Sequence, residues 1–416
     1  MSFQDLQKLV IKNDLCCRCG SCAGICPAQN IVFQDLLGQC LPSDLNKCIN
    51  GCRLCIQVCP GYRSDVTSYQ LGLGATKSIQ LVRAIDKEVC RRGTSGGAVT
   101  SILAVGLNEK WWDGVLMLGY NPENPTQTMA KLLTTSIEVL DNTQSRYCVA
   151  PLNQILRKTV EGHRYAIVGL PCMLEGLDKW LAIQPKWRDR IVLKLGLLCH
   201  STMKYGATQE LLDKLEVTAH DAILQAHYRE GAFPGGFKVV THNSESKTIP
   251  LDNYMVLFNH YSLNRCRLCV DHYALHSDIA FADPFPFVDE LKNGDLKWTT
   301  TVTRSYLGIE YLLRARTLGA IECRIVGDGN EKKWREKLDS IQQVHLRQIA
   351  LTKKMNMPVP SMDIILPRVN FAQALLNLVR ILVFQDIMLS AKQMIGRFFA
   401  GRFDPDYSRF RSTDES

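Results

Sequence analysis

CCRCGSCAGICP, Cys16 to Pro27, and CINGCRLCIQVCP, Cys48 to Pro60, are two versions of one pattern. The first places Cys16, Cys19, Cys22 and Cys26 at C-x2-C-x2-C-x3-C, and the second places Cys48, Cys52, Cys55 and Cys59 at C-x3-C-x2-C-x3-C. A proline follows each fourth cysteine and turns the backbone away. Three thiolates at short spacing let one loop wrap a corner of a four-iron cluster, while the fourth reaches the neighbouring cluster. That exchange predicts Cys16, Cys19, Cys22 and Cys59 around one 4Fe-4S cluster, and Cys26, Cys48, Cys52 and Cys55 around a second. Structural zinc is the alternative, but zinc takes four ligands, usually from two separated pairs, and fits eight cysteines in two runs of four poorly. Cys17 and Cys40 fall outside the spacing and read as spare thiols.

Seventeen cysteines would suggest disulfides in a small secreted chain. This chain has 416 residues, its opening MSFQDLQKLV lacks the apolar stretch of a signal peptide, and its cysteines cluster at metal spacing. A reducing, cytoplasmic compartment is therefore expected. No uncharged apolar run reaches the roughly 18 residues of a membrane span. The formal charge of +8 does not predict a nucleic-acid partner. The basic residues are scattered without interleaved aromatics, and each oxidised cluster with its four thiolates adds about −2.

The length predicts two to three domains. Residues 1–70 read as a two-cluster 4Fe-4S ferredoxin domain of small α+β type. GLGAT, Gly72 to Thr76, reads as a linker. Residues 77–360 read as an α/β domain with a mixed sheet. SIQLVRAI and VLMLGY are expected strands, and TSIEVL a short helix capped by Thr135 or Ser136. YAIVG, the helical pattern MLEGLDKWLAI, then RIVLKLGLL argue a parallel βαβ unit. Cys172 and Cys199 then fall just beyond two strand C-termini, the edge where open α/β sheets place their ligands. ILQAHYRE, GFKVVTH, KTIPL and DIAFAD alternate as strands that extend the sheet or form a second one. The chain is expected to be helical from about Arg347, and residues 361–416 read as an amphipathic helical tail. Its polar stripes (Asn370, Gln373, Asn377 and Arg380, then Asp386, Ser390, Gln393 and Arg397) are out of phase, so Ile381 to Phe384 is apolar all round. Docking against the body or a partner is expected there, with contact to a membrane surface as the alternative.

Two further constellations lie in the body. Cys172 in GLPC, Cys199 in GLLCH, and Cys266 with Cys269 in RCRLC form a second cysteine set, which by itself suits zinc, a cluster or no metal. RGTSGGAV, Arg92 to Val99, puts Thr94, Ser95, Gly96 and Gly97 ahead of an apolar helix. A phosphate could approach the glycine backbone there and meet the helix N-terminus. An ordinary capped helix with small residues against a neighbour would read the same way.

From about Ile79 to Pro360 the chain resembles the beta subunit family of coenzyme F420 hydrogenases and dehydrogenases. The residues that carry this are RGTSGGAVTSIL, SRY at Ser145 to Tyr147, VGLPCMLEGL, LGLLCH, RCRLCVDHYALHSDIAFADP and KKMNMPVP, in family order. The resemblance implies an FAD-containing α/β domain with its own 4Fe-4S cluster on Cys172, Cys199, Cys266 and Cys269. It implies flavin contacts at Thr94, Ser95, Gly96 and Gly97, then at Ser145, Arg146 and Tyr147. Met173 stands where family members often carry Gln, and the segment after Pro360 is a second departure. Some relatives reduce chlorophyll-type tetrapyrroles, so the family alone does not name the substrate. The expected activity is that of an iron–sulfur flavoprotein oxidoreductase moving electrons between a coenzyme F420-like deazaflavin and ferredoxin-type partners. The alternatives are a ferredoxin-dependent reductase of an organic substrate such as a tetrapyrrole, a non-catalytic electron-relay subunit, and a zinc-bearing interaction module. His200, beside Cys199, reads as a packed histidine and, as the alternative, a proton donor.

Overall fold

The computed structural model describes residues 3–218, 221–243, 245–284, 287, 291, 297–370 and 372. Cysteine spacings of three residues leave room only for single turns, and the N-terminal module is built accordingly. Two short helices, Ser21–Ile25 and Leu54–Gln57, accompany a two-residue ladder of β1 (Ile31–Val32) against β2 (Ser43–Asp44). β3 (Arg63–Thr67) then leads out of the module.

The body is organised on one sheet of eight strands. β4 (Ser78–Ala84) opens it; β5 (Gly114–Tyr120) and β6 (Thr128–Leu133) form an antiparallel pair at one end. β7 (Tyr165–Gly169) is the run YAIVG, buried at all five positions, as a strand covered on both faces must be. β8 (Ile191–Leu197) lies parallel to it, joined through the helix Pro171–Ile183. β9 (Ile223–Glu230), β10 (Gly236–Thr241) and β11 (Ser246–Pro250) form a separate antiparallel sheet. The chain then returns to the large sheet as β12 (Ile279–Ala282), β13 (Thr299–Thr303) and β14 (Ile321–Ile325), giving the order β14-β4-β13-β12-β8-β7-β5-β6. β5, β7, β8 and β12 pair with their neighbours in parallel, and the flanking pairs are antiparallel.

β13 is the strand least legible in the sequence. TTTVT looks polar, yet all five residues are buried. Thr is β-branched and suits a strand, and the hydroxyls find partners: Thr300 Oγ1 donates to the Asp283 carbonyl at 3.0 Å and Thr303 Oγ1 to the Ser78 carbonyl at 3.4 Å. A satisfied hydroxyl removes most of the cost of burying it.

One face of the sheet is covered by the helices Ala98–Asn108 and Tyr306–Thr317, whose Ile102, Leu103, Tyr311 and Leu312 pack on Val115, Val168, Leu195 and Phe281. The helix Ser136–Asp141 joins them, opened by a capping box in which Thr135 and Glu138 satisfy each other's amides. On the other face lie the helix Pro171–Ile183, with the N-terminal module behind it, and the long helix Asp328–Lys354. That long helix starts 19 residues before the expected Arg347 (347 − 328).

Residues 1–70 and the body share one apolar core. Phe3, Leu6, Val10 and Val66 pack with Leu263, Leu268, Val270, Leu346 and Ile349. The expected helical tail does not begin at residue 361. Ser361–Asp363 is β15, parallel to β3, tied by Arg63 to Asp363 at 2.7 Å. Pro358 and Pro360 precede it, and proline disfavours helix both at its own position and just before it. The stripes and apolar stretch expected beyond Asn370 lie outside the described residues, except for exposed Ala372.

Candidate functional site

The thiols of the N-terminal module fall into two neighbourhoods. Burial, then charge on Cys16, Cys19 and Cys59, pushes the Cys22 thiol well above its ordinary range. Burial lifts Cys16 and Cys19 to about 12. In the second neighbourhood, burial and then Cys48, Cys52 and Cys26 push Cys55 up to about 11. Polar hydrogens already point at several sulfurs: the Arg18 amide is 3.4 Å from Cys16 Sγ, the Asn30 amide 3.4 Å from Cys26 Sγ, and Ser21 Oγ 3.3 Å from Cys19 Sγ. Cys16, Cys19, Cys22 and Cys59 are all buried, whereas Cys48 is exposed and Cys52 half-buried. Crowded, buried thiols hold their protons until a cation replaces them, which is the condition a cluster site meets on loading.

Cys172 follows β7, at the second residue of the helix Pro171–Ile183, and Cys199 lies two residues past β8. Both strands run parallel, so both thiols stand at one sheet edge. The RCRLC segment is tied to the same edge: the Cys199 amide donates to the His272 carbonyl at 3.0 Å, and His272 Nδ1 lies 2.9 Å from the Cys199 carbonyl oxygen. Burial, then charge on Cys266 and Cys269, raises the Cys199 thiol well above its usual range. Arg265 is buried, with Nη1 donating to the Leu268 carbonyl at 2.9 Å and Nη2 to that of Pro60 at 3.3 Å. Arg267 instead donates to the Asn259 carbonyl on the exposed side. His200 stacks on His272, with ring centroids 5.7 Å apart. All seventeen cysteines are free. Among the described residues no three His, Cys, Asp or Glu side chains converge closely enough to hold one metal ion. A four-iron cluster takes one thiolate at each corner iron and so needs them further apart.

Cys17, read from the spacing as spare, is buried between these groups. It packs in the same apolar cluster as Cys172. Interaction with Cys17, then burial, raises the Cys172 thiol well above the ordinary range, and the same interaction, with help from nearby Arg265, lowers Cys17 to about 7.

The glycine-rich turn stands beside the same edge but uses its residues differently from the expectation. A Cβ at Gly96 would come within 2.8 Å of the Val82 carbonyl oxygen and 3.0 Å of the Thr299 amide. Gly96 also donates its own amide to Thr299 Oγ1 at 2.9 Å. Gly97 has φ +69° and sits against the Val89 carbonyl oxygen. The missing side chains therefore serve packing of the turn on the body. Thr94 Oγ1 accepts from the Ser145 amide at 3.0 Å and lies 3.1 Å from Ser145 Oγ, which brings the two expected segments together. Arg146 lies over the Tyr120 ring, 3.3 Å from its centroid, and Tyr120 hydrogen-bonds His227 Nδ1. The hydroxyl of Tyr147 accepts from Arg229 at 3.0 Å, and Arg229 pairs with Asp283 at 3.0 Å. The Tyr147 ring is wedged edge-on against Tyr228 and Phe258, so it braces the small sheet.

Tyr120, His227, Arg229 and Asp283 were not singled out in the sequence. Tyr120 and Asp283 do follow a readable rule, since they end or follow strands of the parallel set, β5 and β12. Three buried atoms here have no partner: Gln144 Oε1, Arg146 Nε and Arg229 Nη2. Buried polar atoms are normally satisfied, so these unpartnered atoms are compatible with a polar ligand.

Residues 79–157 match the description "Coenzyme F420 hydrogenase/dehydrogenase, beta subunit N-term", and residues 162–328 match the description of the C-terminal part of the same family's beta subunit. The chain belongs to the coenzyme F420 hydrogenase/dehydrogenase beta subunit family. Cys172, Cys199, Cys266, Cys269 and the turn with Ser145 all lie inside the matched residues, while the N-terminal module lies outside them. A relative in this family, the coenzyme F420 hydrogenase subunit beta of Methanococcus voltae, is 25% identical over 301 residues, covering 69% of this chain and 99% of that relative. The coenzyme F420-dependent sulfite reductase of Methanocaldococcus jannaschii is 22% identical over 287 residues, which take in 65% of this chain but only 42% of the reductase. Among solved structures, a chain of the F420-reducing NiFe hydrogenase complex from Methanosarcina barkeri superposes with a TM-score of 0.54 at 19% identity. The overlap takes in 71% of this chain and 99% of that one, and shows a shared fold.

Proposed function

We propose that the chain is an FAD-dependent iron–sulfur oxidoreductase that connects a deazaflavin-type two-electron carrier to a one-electron protein partner. What supports this reading is that twelve free cysteines stand at the spacings expected of three ligand sets, with Cys172 and Cys199 at the carboxyl edge of the parallel strands, Cys16 buried and Cys48 exposed. When bound, a flavin supplies hydride chemistry on one side and single electrons on the other, which clusters carry.

Thr94, Ser95, Ser145 and Arg146 are the residues to hold the flavin. The helix Ala98–Asn108 presents its N-terminus, without a side-chain cap, beside them. Gln144, Arg146 and Arg229 each keep a buried polar atom without a partner. Arg265 sets a positive charge by the third thiol group, and Cys48 with its exposed neighbours offers the partner a short approach. Relatives named as hydrogenase and formate dehydrogenase subunits support a protein partner. Free cysteines suit a reducing cytoplasm. No helix among the described residues is long and apolar enough to cross a membrane.

The test is the full chain, reconstituted anaerobically. It should hold about twelve irons and noncovalent FAD, and should pass electrons from reduced coenzyme F420 to a one-electron dye. Stoichiometric zinc without iron, or no flavin after reconstitution, would defeat the reading. Iron and flavin without coenzyme F420 turnover would move the substrate to another organic molecule, such as a tetrapyrrole.

A further inference from the structure

β14 closes the large sheet at one end. Among the described residues it pairs only with β4, and that ladder runs without a bulge from Ile321 to Ile325. The outer side of such a strand presents a row of backbone donors and acceptors, which natural chains commonly interrupt with Pro, Lys or a bulge. IECRI contains neither Pro nor Lys. Side chains alternate along a strand. Ile321, Cys323 and Ile325 share one face: Ile321 is buried in the cluster of Tyr311, Leu312 and Ala315, whereas Ile325 is 83% exposed. Glu322 and Arg324 share the other face. There Glu322 hydrogen-bonds Arg83 on β4, and the Arg324 guanidinium lies 5.6 Å from the Trp298 ring centroid.

We propose that β14 is the interface between two copies of this chain, paired edge to edge and antiparallel about a two-fold axis at Cys323. The order of charges selects the register. With Cys323 opposite the partner's Cys323, Glu322 stands opposite the partner's Arg324 and Arg324 opposite the partner's Glu322. A two-fold axis makes every such contact twice, so this register forms two cross-strand ion pairs. The neighbouring register on one side puts Glu322 opposite the partner's Glu322, and that on the other puts Arg324 opposite the partner's Arg324. Like charges directly opposite each other are unfavourable. Glu322 need not give up Arg83, because a carboxylate has two oxygens and can accept from two guanidinium groups. The same register sets Ile325 opposite the partner's Ile321 and covers an exposed apolar side chain. The two large sheets then continue as one, and neither copy keeps an open edge at β14. β4, β13 and β12 separate β14 from β8, so the interface lies away from Cys199, and neither iron nor flavin enters into it.

The experiment is sedimentation velocity of the full chain, anaerobically reconstituted, over a concentration series that yields the mass and the dissociation constant of the dimer. The wild-type chain should sediment as a dimer at the upper end of the series. Arg324→Glu sets two carboxylates opposite each other in both pairs and should weaken the dimer about tenfold. Arg324→Lys keeps the charge and should stay close to wild type. A wild-type chain that remains a monomer throughout the series would overturn the proposal and leave the edge to another segment or another protein. An Arg324→Glu variant that dimerises as the wild type does would overturn it too. If Arg324→Glu fails to fold, Ile325→Glu takes its place. Ile325 is exposed, and the substitution sets a charge opposite the partner's Ile321, so the same weakening is expected and an unchanged constant overturns the proposal. Hydrogen exchange gives an independent reading. The β14 amides should exchange more slowly as the dimer forms, and β14 exchange that ignores dimerisation would move the interface elsewhere.

Discussion

Gly96 and Thr94 are two residues apart and do different work. At Gly96 an added methyl meets backbone atoms of β4 and β13, which cannot give way as a flexible side chain would. Gly96→Ala should therefore cost about 1–3 kcal/mol, as overpacking usually does. Thr94→Val keeps the shape and removes only the bonds to Ser145, at about 1 kcal/mol. Flavin content and thermal midpoint, measured together, should separate them: Gly96→Ala lowers both, and Thr94→Val lowers chiefly the flavin. His227 supplies a second check. Burial, then the charge of Arg146, depresses its pKa to about 4, and it faces Glu230, Arg92 and Lys238 as well. The unfolded chain binds the proton near 6.5. Between about 6.5 and 4 the unfolded state thus holds more protons, so stability is present above 6.5 and is lost as pH falls toward 4. The loss approaches about 3 kcal/mol. His227→Gln should flatten the urea midpoint over that range. An equally steep pH dependence in the variant would assign the effect to other groups.

The contact between the helices Ser21–Ile25 and Pro171–Ile183 depends on two glycines. Gly24→Ala drives a methyl into Trp180 and the Asn153 carbonyl oxygen, and should cost about 1–3 kcal/mol. In combination with Trp180→Leu the penalty should shrink, because the ring that is struck is gone. Urea unfolding of the four proteins of this double-mutant cycle measures it, and strictly additive losses would contradict the contact. Elements of this kind differ in how far they could be read in advance. YAIVG and RIVLKLGLL declare buried strands by composition, and their shared direction put Cys172 and Cys199 on one edge before any coordinates. TTTVT conceals β13, since several of its hydroxyls are satisfied by distant partners such as Asp283 and Ser78. Tyr120 and His227 meet across 107 positions, and no local period encodes that. Gly24 reads as part of a cysteine loop and Gly176 as part of a helical pattern, while their role is set by what lies opposite.

At the scale of the whole molecule, Cys16, Cys22 and Cys59 form part of the core shared by residues 1–70 and the body. On the proposed function, removing iron with a chelator should loosen that core more than the large sheet. Hydrogen exchange is expected to speed up over residues 15–60 and stay slow in β5, β7 and β8, because metal binding there is folding free energy. Uniform loosening would place the stability of the module elsewhere. The strand pairing of β3 with β15 carries a further consequence, in the order of synthesis. β3 ends at Thr67 and its partner begins at Ser361, roughly 290 residues later. At about 5–20 residues per second a ribosome takes on the order of fifteen to sixty seconds to bridge that gap. Throughout it the cysteine runs are outside the ribosome without the helix and strand that complete their surroundings. On the proposed function, a cell that makes this protein has an interval in which cluster-delivery proteins meet open loops rather than a closed module, and in which oxygen meets the same thiols.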